Sequence, residues 1–362
     1  FFSIASIVRS FAYLTQAVCR SHERLDLAAI STVLNAVCFV GTSLLLLSSG
    51  YGISTLGVTS IGAALVQIGS SSFFASRFIR FSVRFPPRWA VAKSALPYAT
   101  TSLSMLAFAQ IDILIMSFIA SAEIVGRYAA ISRFLVLSGT LAALASSAVL
   151  PTAARMFIRA SRERFDDLIN GALRAYVTIG STIALGLAFV SEPLMGGIYG
   201  SDFADLYPLL QAGTLYLVFK FATSIFAMTL TSTGRQSDRA RSVLIGLAAT
   251  VIFVFVLVPP LGVTGAVIAL VASELTLATC LSFFMRERIA WSRLLRTAVC
   301  IGVAAAGGLL VHRLSIVDGR SLPHLVSIGL SLLAYLVVLI ATGEALSSIR
   351  FFMGLRRGSA SR

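Results

Sequence analysis

Long runs of apolar residues, most of them about twenty residues long, alternate in this chain with short connections that carry most of its charge. A helix needs about 20 apolar residues to cross the roughly 30 Å hydrocarbon core of a bilayer, and its backbone groups must be satisfied within the segment. The pattern therefore predicts an all-α polytopic membrane protein with about 11 transmembrane helices. The predicted spans are 1–19, 27–49, 53–76, 95–120, 124–150, 169–191, 207–231, 240–258, 261–284, 297–314 and 323–343.

Composition agrees with this interpretation. Hydrophobic residues make up 57% of the chain and charged residues 12%, with a mean hydropathy of +0.91, whereas charged residues approach about a quarter of a soluble domain. The net charge of +14 does not indicate nucleic acid, because a binding face needs its cations gathered on one folded surface. Here most of the cations lie at span boundaries. The cysteines and histidines form no metal-ligand spacing, so no metal or cofactor is expected.

The distribution of Lys and Arg predicts an orientation. Of the 29 basic residues, 22 lie in alternate connections or the C-terminal tail and three, Arg127, Arg313 and Arg320, in the opposite set. Because short loops rich in Lys and Arg stay cytoplasmic, the first span is predicted to enter from outside and the C-terminus to be cytoplasmic. Trp89 and Trp291 are likewise predicted to lie at the cytoplasmic interface of the membrane. The other four basic residues lie inside apolar stretches: Arg9, Arg133, Arg174 and Lys220.

A short repeat suggests two related bundles. The residues LGVT open an apolar span at 56–59 and again at 261–264. Each copy follows an apolar span, which in turn follows a connection with two arginines four residues apart. Repeats in the same orientation are typical of transporters whose substrate site lies between two halves.

Three passages resemble the polysaccharide flippases, the Wzx-type translocases related to the multidrug and toxin extrusion (MATE/MOP) transporters. They are AQIDILIMSFIASAEIVGRYAAISRFL at 109–135, EPLMGGIYGSDF at 192–203 and PPLGVTGAVIAL at 259–270. The resemblance implies a two-lobe MATE-like bundle that lacks its first helices. Residues 1–94 would be the rest of the N-terminal lobe with about three spans, 95–285 the C-terminal lobe with six, and 286–362 two additional spans and a basic tail.

The same resemblance implies a function. It predicts a non-enzymatic transporter of the bacterial inner membrane that moves a polyprenyl-diphosphate-linked oligosaccharide by alternating access. The product would be a surface polysaccharide such as O-antigen of lipopolysaccharide, exopolysaccharide or capsule. Expected partners are this substrate, membrane lipids and the glycan polymerase or chain-length machinery.

The cations inside the spans are the candidate substrate ligands, because a charge at the bilayer centre is costly and usually faces a protein interior or cavity. Arg9 and Lys220 occupy corresponding spans of the two proposed bundles, and both residue types bind phosphate well. Arg133 is a third candidate. Gln16 lies on the same helix face as Arg9, and Tyr216 on the same face as Lys220, and both would contact sugar. Arg174, close to a span end, is predicted to snorkel to the interface. Each cation could instead pair with a buried carboxylate.

Two carboxylates also lie inside spans. Asp112 and Glu274 are candidates for binding a coupling proton or Na⁺, as intramembrane acids often do in transporters, and equally for pairing with one of the cations. These alternatives stay open on sequence alone.

Two other functions fit the sequence less well. A drug antiporter of the same superfamily would favour an acidic and aromatic pocket, whereas the midplane cations here outnumber the acids. A membrane-embedded glycan polymerase or ligase would present a large outer loop with catalytic residues, and the outer connections here are short.

Overall fold

The computed structural model describes residues 2–22, 24–52, 54–78, 110–159, 161–317, 324–344 and 347–348. In these ranges the chain is helical throughout, which confirms the predicted fold class. Seven helices are long and apolar enough to cross a membrane, and two shorter apolar helices accompany them. The predicted span 95–120 lies outside the described residues up to 109. The chain separates into two compact units, Phe1–Val91 and Ala92–Arg362.

The first unit contains three helices: α1 (Phe2–Ser21), α2 (Leu25–Ser48) and α3 (Thr55–Ala75). Small residues such as Ala12 and Ala63 fill its helix contacts, as is usual where helices approach closely in a membrane. Hydroxyl pairs cross between helices. Thr15 Oγ1 lies 2.6 Å from Ser71 Oγ, and Ser43 Oγ lies 3.0 Å from Thr59 Oγ1. These bonds hold α3 against both neighbours.

The second unit begins, in the described residues, with α4 (Gln110–Ile119) and two helices of 38 residues each, α5 (Ala122–Arg159) and α6 (Arg162–Tyr199). The predicted spans stop at 191 and resume at 207, which leaves a connection between them. Much of that connection is helical, because α6 continues through Pro193 to Tyr199 and ends before Gly200, whose φ of 88° breaks the helix. A 3₁₀ helix, Ser201–Leu206, follows. Arg127 forms an ion pair with Asp205 of this turn.

The centre of the second unit is α8. After α7 (Tyr207–Gly213), α8 (Leu215–Ser232) packs against α5, α6 and α9 (Gln236–Met285). Gly180 of α6 permits one of these contacts, because a Cβ added there would lie 2.8 Å from the Phe221 side chain. Residues on α8 are therefore positioned by three neighbouring helices.

The 50-residue element α9 is two spans joined by a kink, at the boundary predicted between 240–258 and 261–284. Gly262 has φ 56° and ψ −128°, and Pro259 and Pro260 precede it. Arg235 Nη1 donates to the Phe284 carbonyl at 2.8 Å, so the start and end of α9 lie side by side. We call the halves α9a (236–261) and α9b (263–285).

Two further helices, α10 (Trp291–Val317) and α11 (His324–Ala341), pack on each other and on α6. An ion pair holds them there. Arg174 Nη2 donates to both carboxylate oxygens of Glu344 at 3.0 Å, and Arg174 Nε donates to Thr297 Oγ1 at 3.2 Å. The Glu344 side chain is 3% exposed. Arg174, predicted to snorkel to the interface, keeps 30% of its side chain exposed and reaches a buried carboxylate just beyond the end of α11.

Candidate functional site: a buried ion pair beside a cavity

Lys220 and Glu274 form an ion pair between α8 and α9b. Lys220 Nζ lies 3.4 Å from Glu274 Oε2, and Thr223, one helical turn after Lys220, donates from Oγ1 to Glu274 Oε1 at 2.6 Å. Because Thr223 follows Lys220 by three residues, both side chains lie on one face of α8. The carboxylate is almost fully enclosed, with 2% of its side chain exposed, whereas Lys220 retains 26%. The candidate substrate ligand and the candidate coupling acid therefore meet in one site, where each neutralises the other.

Tyr216 completes the surroundings of the ammonium group. Its ring centroid lies 5.8 Å from Lys220 Nζ, within the range in which a cation is attracted to an aromatic face. Gly139 of α5 lies opposite. A Cβ added to Gly139 would approach both Lys220 Cγ and Tyr216 Cε1 to 3.4 Å. A Cβ there would thus be in ordinary van der Waals contact with both groups, so Gly139 packs closely against the lysine stem and the ring.

The pair faces a cavity of about 520 Å³ inside the second unit. Helices α4, α5, α8 and both halves of α9 line it. Hydroxyl groups extend from the ion pair toward the arginine-rich end of the unit, where Arg239 Nη1 donates to Thr231 Oγ1 at 2.9 Å. The hydroxyl residues along the wall are Thr140, Ser146, Thr223, Ser224, Thr231, Thr250 and Ser273. Thr231 is eleven residues beyond Lys220 on α8, or about 16 Å at 1.5 Å per residue.

Asp112 also lines this cavity. Its carboxylate accepts a hydrogen bond from the Tyr128 hydroxyl, and its Oδ1 accepts from the Ile113 amide at 2.8 Å. Within the ranges that the structure describes, these contacts are to neutral groups, so Asp112 is not in an ion pair there. The two carboxylates of the cavity wall thus differ, since one has a cation beside it and the other has a phenol.

Arg133 is exposed on α5. The residues at 133, 136, 140 and 143 follow the three-and-four spacing of one helix face. The last three of these, Val136, Thr140 and Ala143, line the cavity. Arg133 therefore lies on the cavity-facing stripe of α5, beyond the part that contacts the cavity.

The remaining candidates, Arg9 and Gln16, lie on α1 in the first unit. Gln16 is fully buried, and its Nε2 donates to Ser31 Oγ at 2.8 Å and to Thr32 Oγ1 at 3.2 Å. The amide thus joins α1 to α2, and it is not exposed for contact with a sugar in this conformation. Arg9 is half-buried, and its Nε is buried without a hydrogen-bond partner.

The sequence did not lead to Glu344, the acid whose carboxylate holds Arg174. The positions of the two residues along their spans could have indicated this ion pair. Arg174 lies near the arginine-rich end of α6, and Glu344 directly follows the predicted span 323–343 at that same end. An arginine just inside one span and an acid at matching depth in another are candidates for an ion pair on sequence alone.

Comparison with known proteins shows which of them this chain resembles. No family model matches the chain. A "probable low-salt glycan biosynthesis flippase Agl15" of Haloferax volcanii is 20% identical over 275 residues, which cover 74% of this chain and 57% of that protein. The chain thus spans just over half the length of this curated relative.

A solved structure shows the fold. "Lipid II flippase MurJ, inward closed conformation" superposes with a TM-score of 0.76, at 16% sequence identity, over 93% of this chain and 71% of that one. The chain therefore has the fold of this solved structure, in agreement with the fold that the resemblance to polysaccharide flippases implied.

Proposed function

We propose that this protein is a flippase that moves a lipid-linked glycan with a diphosphate headgroup across a membrane. The observation that carries the proposal is the likeness of fold to a lipid II flippase over 93% of the chain. The archaeal relative, whose name includes glycan biosynthesis, supports the same class of substrate. The more specific proposal is a polyprenyl-diphosphate-linked oligosaccharide at a bacterial inner membrane, with the C-terminus cytoplasmic and a glycan polymerase as a partner.

Arg9 is the residue that we propose to contact the diphosphate. Its Nε is buried without a hydrogen-bond partner. The only acidic residues between positions 1 and 91 are Glu23, just before α2, and Asp26, in the first turn of α2. The first unit therefore offers no carboxylate at the depth of Arg9. A guanidinium at that depth is costly unless an anion meets it, and a diphosphate supplies two acceptor groups suited to its planar fork.

The charge of the cavity in the second unit disfavours a cation-drug antiporter. A pocket for cationic drugs needs uncompensated negative charge. The two acids of the cavity wall, Asp112 and Glu274, are instead matched in number by two cations, Lys220 and Arg239, and Glu274 is paired with Lys220 at 3.4 Å.

Replacing Arg9 with Ala tests the proposal. A hydrogen bond to a charged group is worth about 1.5–3 kcal/mol, so we expect export of surface glycan to fall by about ten- to a hundredfold. Lipid-linked oligosaccharide should accumulate in the cytoplasmic leaflet. Arg9→Lys keeps the charge but loses the planar fork, so export should fall less than in Arg9→Ala, and Ser10→Ala, at an exposed neighbour on α1, serves as the control. Unchanged export by Arg9→Ala at normal protein levels would refute this role for Arg9.

A further inference from the structure

The cavity of the second unit has the parts of a cation site, and a side chain occupies it. Glu274 is a membrane-embedded carboxylate with 2% of its side chain exposed. Such acids commonly bind H⁺ or Na⁺ in transporters. Here Glu274 Oε1 accepts from Thr223 at 2.6 Å, and Oε2 faces Lys220 Nζ at 3.4 Å. The ammonium group therefore supplies the positive charge that a bound sodium ion would bring to this carboxylate.

We propose that Lys220 is a tethered cation that takes the place of a coupling Na⁺ or proton at Glu274. The ammonium has the same charge as Na⁺, and it is attached to α8 by a four-carbon stem, so it cannot cross the membrane with its gradient. A consequence follows that rests on the flippase function proposed above: flipping draws no energy from a sodium or proton gradient through this site.

The other charges around Glu274 fit this assignment. Asp112 on α4 is hydrogen-bonded to Tyr128 of α5, and Arg239 of α9a is bonded to Thr231, near the arginine-rich end. Tyr216 contributes an aromatic ring and a neutral hydroxyl on the same side as Lys220. Protonation of Glu274 would leave the Lys220 charge without its counter-ion in a site of low dielectric. The resident ammonium thus opposes both sodium binding and proton uptake.

The first test measures the site itself and does not depend on transport. The complete protein is purified in detergent, and its thermal unfolding is followed with sodium or choline chloride at equal ionic strength, and with decreasing pH. We expect the wild type and Lys220→Arg to show no specific response to sodium. Lys220→Met, which leaves the carboxylate without its counter-ion, should be stabilised by sodium or by acid, with an apparent affinity at least about tenfold above that of the wild type.

The double variant Lys220→Met/Glu274→Gln is the matched control. It removes both charges, and its response to sodium and acid should return to that of the wild type. If the single variant does not fold in choline, recovery of folded protein in sodium or in the double variant supports the proposal. Stabilisation of the wild type by sodium that Glu274→Gln abolishes would overturn it, as would a folded Lys220→Met protein indifferent to both sodium and acid.

The second test measures flipping in vesicles with a fluorescent polyprenyl-diphosphate-linked N-acetylglucosamine as the probe. We expect the wild type to flip it at rates that agree within about twofold whether a sodium gradient, a proton gradient or neither is imposed. Flipping that requires one of these gradients, with the requirement removed by Glu274→Gln, would refute the tethered cation. Absence of flipping under every condition would refute the proposed function, and the stability measurements would still decide the role of Lys220.

Discussion

The two units treat a cation inside a membrane helix in opposite ways. Arg9 on α1 and Lys220 on α8 each lie twelve residues before the last residue of their helix, Ser21 and Ser232. The second unit neutralises Lys220 with Glu274 of α9b. The first unit has no acidic residue anywhere in α3. The difference indicates which cation is available to an outside anion, since Lys220 already has a counter-ion and the sequence of the first unit offers none at the depth of Arg9.

The same comparison applies to the hydrogen bonds around these positions. In the first unit Thr15 bonds Ser71, so that two neutral hydroxyls join α1 to α3. In the second unit Thr223 bonds the Glu274 carboxylate, so that α8 and α9b are joined through a charge. Helix pairs in corresponding places thus use different chemistry, and the second unit is expected to depend more strongly on its polar contact.

The largest expected difference in stability is between two single variants, in which either Lys220 or Arg9 is replaced with methionine. Lys220→Met leaves Glu274 buried and unpaired, which should cost about 3–5 kcal/mol. Arg9→Met removes a charge that has no carboxylate at its depth in the first unit, so no loss of stability is expected. Unfolding in detergent by circular dichroism measures both. If Arg9→Met is as destabilising as Lys220→Met, the proposed difference between the two units is wrong, because Arg9 would then have a structural counter-ion.

Replacing the two threonines with valine should give a smaller and graded difference. Thr223→Val removes a hydrogen bond to a charged acceptor and is expected to cost about 1.5–3 kcal/mol, whereas Thr15→Val removes a neutral one and should cost about 0.5–1.5 kcal/mol. Valine has nearly the shape of threonine, so packing changes little in either variant. The same unfolding measurement ranks them. Equal losses would show that the charge on Glu274 does not strengthen its bond to Thr223.

The sequence predicted the fold well because hydropathy and breakers act locally. The boundary between spans at 258–261 coincides with the kink at Gly262, where a positive φ suits only glycine easily. The extension of α6 was missed because the apolar run stops just before Glu192 and Pro193, whereas the 38-residue helix accommodates the proline. The helical hydrogen bonds on either side of Pro193 outweigh the one that the proline removes.

The candidate site was only half predictable. Sequence depth identified Lys220, Glu274 and Tyr216 as intramembrane polar residues, but it could not say which helices are neighbours or how each is rotated. The pairing of Lys220 with Glu274 depends on α9 folding back at its kink so that α9b lies beside α8. Gln16 shows the converse, because its place on the face of Arg9 suggested a sugar contact and the structure uses its amide between α1 and α2.

The smallest expected change in stability comes from giving Arg9 a nearby carboxylate in the first unit, as Lys220 has Glu274 in the second. Gln67 of α3 is 1% exposed, and its Oε1 is buried without a hydrogen-bond partner. Arg9 lies six residues before Thr15 on α1, and Gln67 lies four before Ser71 on α3, so the Thr15–Ser71 bond places them at levels about 3 Å apart at 1.5 Å per residue.

Gln67→Glu keeps the shape of the side chain and supplies the missing carboxylate. If Arg9 takes it as a partner, the first unit should change in stability by no more than about 1 kcal/mol, because the gain from pairing is largely offset by the cost of burying the new charge. Export of glycan should nevertheless fall, since the carboxylate competes with the diphosphate for the guanidinium. A large loss of stability with export unchanged would mean that Arg9 does not reach Gln67 and that the two units differ in more than their charge. The expected result is a loss of export at unchanged stability, with export as low as in Arg9→Ala. It would show that Arg9 is available to the substrate because the first unit has no acid at this depth.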